Sequence, residues 1–104
     1  MKVRVALTEA AQEERLEAAR FYRAANLEAA QSFARAFKHE LALLKEQPLL
    51  GASVPGGHAR KVFPHFPYSL IYTFEENLIT IYAVAHQSRD PEYWVERVKT
   101  YRGG

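Results

Sequence analysis

The chain has 104 residues, a net charge of +2 and no cysteine, with nearly half of its residues apolar. That is enough for a single domain over residues 1–104 that buries about two thirds of its unfolded surface, and the missing cysteines exclude a disulfide framework, a thiolate zinc site and a cysteine nucleophile. The charged amino terminus Met1-Lys2-Val3-Arg4 is followed by no apolar block and no apolar run approaches the ~20 residues of a membrane span, so neither signal peptide nor membrane contact is expected and cytoplasmic residence is.

Lys2-Val3-Arg4-Val5-Ala6-Leu7 alternates charged and apolar residues, which predicts a strand with one wet face or an edge position. Thr8 is an N-cap candidate. From Glu9 onward, Ala, Glu, Arg and Leu without Gly or Pro favour a helix, with Ala11, Ala18, Phe21, Tyr22 and Ala25 along one flank. Asn26 interrupts it. A second helix follows with Leu27, Ala30, Phe33, Ala34, Phe37, Leu41 and Leu44 at three- and four-residue spacing, and two helices joined this tightly form an antiparallel hairpin. The stripe reads first as the face that covers a core. On the outer side, Tyr22, Ala29 and Leu43 offer a partner helix something apolar to grip.

Gln47-Pro48 ends the second helix, and residues 49–58, with Gly51, Pro55, Gly56 and Gly57, have no periodicity and read as a loop. The Gly-Gly pair lacks the preceding buried strand and following lysine of a phosphate cradle, which excludes nucleotide binding of that type. Three strands are predicted at 59–63, 68–74 and 78–85. Glu75-Glu76-Asn77 joins the last two as a hairpin, Asn77 tolerating positive φ. Tyr68, Leu70, Tyr72 and Phe74 alternate with Ser69, Ile71, Thr73 and Glu75, giving one aromatic face and one mixed face, while the last strand is apolar on both faces and therefore central. The fold class is α+β: an N-terminal strand, an antiparallel helical hairpin packed on a mainly antiparallel four-stranded sheet, and a short C-terminal helix.

Chemistry concentrates where the last strand ends. The run Val84-Ala85-His86-Gln87-Ser88-Arg89-Asp90-Pro91-Glu92-Tyr93-Trp94 passes from apolar to ionisable and aromatic residues. Asp90 is placed to cap the first turn of a helix and Pro91 to occupy its first position. Strand, turn and helix thus set His86, Arg89 and Tyr93 near one another at the rim of the sheet, where loop-borne function collects. Upstream, no acidic residue occurs between Glu46 and Glu75, while His58, Arg60, Lys61 and His65 fall inside that window. Such a cationic stretch is either a charged sheet edge protected against pairing or a nucleic-acid footprint. No two histidines have the helical i, i+4 spacing of a zinc motif, so no metal site is expected, and no cofactor.

The element order, together with Pro55-Gly56-Gly57, Phe66-Pro67-Tyr68-Ser69-Leu70-Ile71-Tyr72 and the segment from Ala83 to Trp94, resembles the RelE/ParE superfamily of type II toxin-antitoxin toxins, closer to the ParE-like, plasmid-stabilisation branch. The Ala-His, Arg and Pro-x-Tyr-Trp combination is the specific part. The resemblance implies a growth-inhibiting toxin neutralised by a cognate antitoxin that wraps the helical hairpin and the sheet, so that Tyr22, Ala29 and Leu43 become antitoxin-binding candidates. It also implies a toxin-antitoxin hetero-oligomer, or a homodimer, as the associated state.

Two targets follow from the resemblance: DNA gyrase, inhibited without hydrolysis, for ParE-like members, and messenger RNA cut in the ribosome for RelE-like ones. A non-toxic interaction domain is the third alternative. Target binding falls to Arg60, His86, Arg89, Tyr93 and Trp94. A nuclease needs a base, an acid and cations around a pentavalent phosphate, and Arg60, Lys61, His86, Arg89 and Tyr93 would be its candidates. The net charge of +2 is low for docking among ribosomal phosphates. Each residue has a structural competitor. His86 can hydrogen-bond a loop carbonyl, Arg89 can pair with Asp90, and Tyr93 and Trp94 can seal the sheet's end against the helical hairpin. Arg60 and Lys61, adjacent on a strand, face opposite sides, so one site takes at most one of them.

Overall fold

The first strand, β1 (Arg4–Leu7), stops at Thr8, whose hydroxyl accepts the Ala11 amide at 3.2 Å and so opens helix α1 (Glu9–Ala25). The computed structural model describes residues 2–54, 56–89 and 93–101. Asn26 then serves both helices at once. Its amide donates to the Tyr22 carbonyl at 3.1 Å, closing α1, and its Oδ1 accepts the Ala29 amide at 2.7 Å, opening α2 (Leu27–Glu46). A single extended residue therefore makes the turn of the hairpin. Among the described residues no helix is long and apolar enough to cross a membrane.

After α2 come β2 (Ala52–Val54), β3 (His58–Val62), β4 (Tyr68–Glu75), β5 (Leu78–His86) and the closing helix α3 (Tyr93–Tyr101). The described sheet has five strands in the order β1-β5-β4-β3-β2, and only the β1–β5 pairing is parallel. The expected count of four is corrected by β2, which lies in the stretch read as a loop. Three exposed or half-buried residues carry no periodicity, but they pair Ala52 with Arg60 and Val54 with His58, satisfying the outer edge of β3. Glycines with positive φ at 56 and 57 make that return possible. Between β4 and β5, Glu76 and Asn77 both adopt positive φ, the signature of a two-residue hairpin turn whose twist matches the strands.

The sheet is covered on both faces. Against the hairpin lie Leu70, Tyr72, Ile79, Ile81 and Val84, packed on Ala11 and Ala18 of α1 and Phe33, Phe37 and Leu44 of α2. Phe33 is the hub of the aromatic part, stacking on Phe63 at 6.0 Å and meeting Phe66 edge-on at 5.4 Å. On the opposite face Ile71, Tyr82, Ala83 and Ala85 pack against Trp94 and Val98 of α3. The β4–β5 register slips between Ile71, opposite Ala83, and Tyr72, opposite Ile81, which makes Tyr82 an extra residue. This bulge puts Tyr82 and Ala83 on the same face, and cover on both faces is why β5 reads as apolar throughout. Trp94 is thus buried on the face away from the helical hairpin, a correction to the expectation that it seals the sheet against it.

Candidate functional site

His86 ends β5 with its ring half-buried and edge-on to Tyr68, centroids 5.1 Å apart. The following turn is tightly tied. Gln87 donates to the Pro67 carbonyl at 2.8 Å, and Arg89 donates back to the His86 carbonyl at 3.0 Å. The Nδ1 atom of His86 accepts the Ser88 amide at 3.0 Å and lies 2.8 Å from Ser88 Oγ, which leaves Nε2 to carry the proton of the neutral ring. The expected local role of this histidine is therefore filled by an amide and not by a carbonyl.

His86 and Arg89 line an open groove of about 530 Å³ between the end of the sheet and α1. Tyr68 and Val84 complete its sheet side, and Glu14, Glu17, Ala18, Arg20 and Phe21 supply the helical wall. Burial of the Tyr68 phenol holds its pKa above the usual 10.0, helped by Tyr22 and Glu17 nearby. Glu14 also has a structural task. Its Oε1 accepts the Val84 amide at 2.9 Å, on the stretch of β5 that extends past the last β1 pairing at Ile81. Arg97 of α3 binds the same carboxylate at 3.0 Å and donates to the Tyr82 carbonyl at 2.9 Å. A carboxylate and a guanidinium thus occupy backbone groups that a longer β1 would have paired.

The remaining sequence candidates are dispersed. Lys61 faces α2, where its Nζ binds buried Glu40 at 2.7 Å and the Val62 carbonyl at 3.0 Å. Arg60 lies on the α3 face, its Nε donating to Ser69 at 3.1 Å, so the two adjacent cations do face opposite sides. His86 and Tyr68 belong to the hairpin face, and Arg60 is therefore separated from them by the sheet. Trp94 is buried, its indole donating to His58 Nε2 at 3.1 Å. The backbone of Tyr93 begins α3, while its side chain and Asp90, Pro91 and Glu92 lie outside the described residues.

Of the positions expected on the outside of the hairpin, Ala29 and Leu43 are half-buried and Tyr22 is drawn into the core. The Tyr22 ring stacks on Phe33 at 5.3 Å and meets Phe66 edge-on at 5.2 Å, and burial raises its pKa above 10.0. Phe21, placed by the sequence on the buried flank, is instead 67% exposed at the rim of the groove. Glu14, Glu17 and Phe21 line the groove but are not among the site candidates the sequence offers. Their signal was available: Glu14, Glu17, Ala18 and Phe21 repeat at i, i+3, i+4 and i+7, one stripe of α1.

A search of the curated proteins finds no match to this chain. Residues 5–91 match the family described as the ParE toxin of type II toxin-antitoxin system, parDE. The matched region runs from β1 through the His86–Arg89 turn and takes in both walls of the groove. The chain therefore belongs to the ParE toxin family of type II toxin-antitoxin systems, and a cognate antitoxin is the partner that membership implies.

Proposed function

We propose that this toxin acts by docking on a protein target, with DNA gyrase the candidate, and that its cognate antitoxin neutralises it by covering the same side of the molecule. The observation that carries the reading is the charge of the groove. Glu14 and Glu17 face it together with Arg20, His86 and Arg89, so a phosphodiester backbone would meet carboxylates at close range, whereas a protein surface can match both signs. Lys61 is committed to Glu40 and Arg60 lies across the sheet. Neither strand cation thus reaches His86, and the arginines that do share its groove, Arg20 and Arg89, sit beside two carboxylates that a pentavalent phosphate would also meet. The exposed Phe21 ring beside Arg20 and Arg89 supplies the aromatic and arginine anchors on which protein interfaces concentrate their affinity.

The test is induced expression in bacteria followed by supercoiling and ribosomal messenger-cleavage assays with the purified protein. Growth arrest with intact messenger and blocked supercoiling is the expected result, reversed by the co-expressed antitoxin. Phe21→Ala and Arg89→Ala should each raise the concentration needed for inhibition by about tenfold or more while leaving the fold intact. Cut messenger would replace this reading with the endonuclease one. Binding to an antitoxin without any arrest would leave a non-toxic interaction domain.

A further inference from the structure

His58 opens β3 on the face that α3 covers, and it is only 5% exposed. Its Nε2 accepts the Trp94 indole N–H at 3.1 Å, a contact between residues 36 apart in sequence. Because the indole is a donor only, this bond requires an unprotonated Nε2, and the neutral ring must then carry its proton on Nδ1. Nδ1 is buried without a hydrogen-bond partner among the described residues, against a turn where a Cβ on Gly56 would lie 2.9 Å from the imidazole Cε1. The ring is therefore enclosed by the turn, the sheet and α3.

We propose that His58 and Trp94 form a proton-operated latch: it holds α3 on the sheet at neutral pH, and protonation releases the helix and frees the groove carboxylate Glu14 from Arg97. A proton on Nε2 would set an N–H against an N–H and leave a buried cation where the bond had been. Among the described residues, the Gly56 backbone beside the ring compensates it only in part. Of the elements around the ring, β2 brings no titratable group, and β3 brings Arg60, already bonded to Ser69. Strand β4 brings Thr73, whose hydroxyl donates to the Tyr82 hydroxyl of β5 at 3.2 Å, and farther along the same face the exposed Glu75. Among the described side chains, α3 brings Arg97, engaged by Glu14, and the exposed Lys99. Burial accordingly lowers the His58 pKa from its ordinary 6.5, opposed only in part by the Gly56 backbone. Alongside this bond, α3 is held by the apolar contacts of Trp94, Val95 and Val98 and by the Arg97 bridge. The latch stands on this geometry whatever the groove binds.

Trp94 is the only tryptophan, so its fluorescence reports the latch directly. Hydrogen exchange of the full chain, corrected for intrinsic rates, should be about tenfold or more faster in α3 at about pH 5 than at about pH 7.5, because the latched ring holds a proton less readily than the released one and protonation therefore favours release. Trp94 emission should move to the red over the same range while β4 and β5 keep their protection. His58→Gln, which retains an acceptor but no titrating proton, should remove both pH effects, and His39→Gln should leave them. If His58→Gln fails to fold, Trp94→Phe should give α3 exchange that is equally fast at both pH values. Flat emission and exchange, a transition that survives in either latch variant, or loss of α3 and sheet protection together would overturn the proposal.

Discussion

Lys61 and Glu40 join β3 to α2 through a 2.7 Å ion pair in which the carboxylate is 2% exposed and the lysine 18%. Removing one partner leaves the other charge without its neutral state of balance in a place water barely reaches. Lys61→Met should therefore destabilise the fold by about 2–4 kcal/mol, the lower half of that range reflecting the lysine's partial exposure. Adding Glu40→Leu to it should recover much of the loss, since the buried charge then disappears. Chemical denaturation of the single and double variants measures both. A double variant as unstable as the single would mean that packing and not charge sets the cost. The strand alternation that separated Arg60 from Lys61 was legible in the sequence, whereas Glu40, lying twenty-one residues upstream, became the lysine's partner only when α2 crossed β3.

At the scale of elements, the hairpin depends on one residue between two helices. Asn26 closes α1 with its backbone and opens α2 with its side chain. Asn26→Ala should cost about 1 kcal/mol by thermal or chemical denaturation, and Asn26→Ser should recover most of it, because a hydroxyl can take over the cap. An alanine variant of unchanged stability would show the Ala29 amide to be satisfied another way. Both helices and their junction follow from local preferences, which is why the sequence carried them. Strand β2 did not, because its three residues are held by the ladder with β3 and have no apolar pattern of their own.

For the whole molecule, the core on the hairpin face brings together phenols of α1 (Tyr22) and β4 (Tyr68 and Tyr72). Tyr72 ties β4 to the end of α2, donating to the Pro48 carbonyl at 2.8 Å and accepting the Gly51 amide at 2.9 Å. Burial raises the pKa of Tyr72, and those of Tyr22 and Tyr68, above the ordinary 10.0. A group whose folded pKa is raised contributes stability that is complete below the unfolded value and lost as pH rises from there through the folded value. Stability should therefore fall above about pH 10, steeply because the phenols share one core. Tyr72→Phe should cost about 1–3 kcal/mol at neutral pH through the unsatisfied Gly51 amide and the lost bond to Pro48, and should flatten the alkaline fall. Denaturant titrations across that range read both effects. An unchanged alkaline slope would place the ionisation elsewhere.

The sequence by itself determined the α+β class, the helical hairpin, the β4–β5 turn, the face assignment of β4 and the family, because each rests on local periodicity, capping or a contiguous motif. It also marked His86 and Arg89. What only the tertiary structure decided was which residues meet them: Phe21 and two carboxylates of α1 in the groove, with Lys61 and Arg60 withdrawn to a buried pair and to the opposite face. The placement of Trp94 on His58 belongs to the same class. Those partners lie tens of residues apart in the chain, and neither spacing nor propensity records them. They are fixed by the strand order, by the bulge at Tyr82 that re-phases β5, and by a sheet covered on both sides.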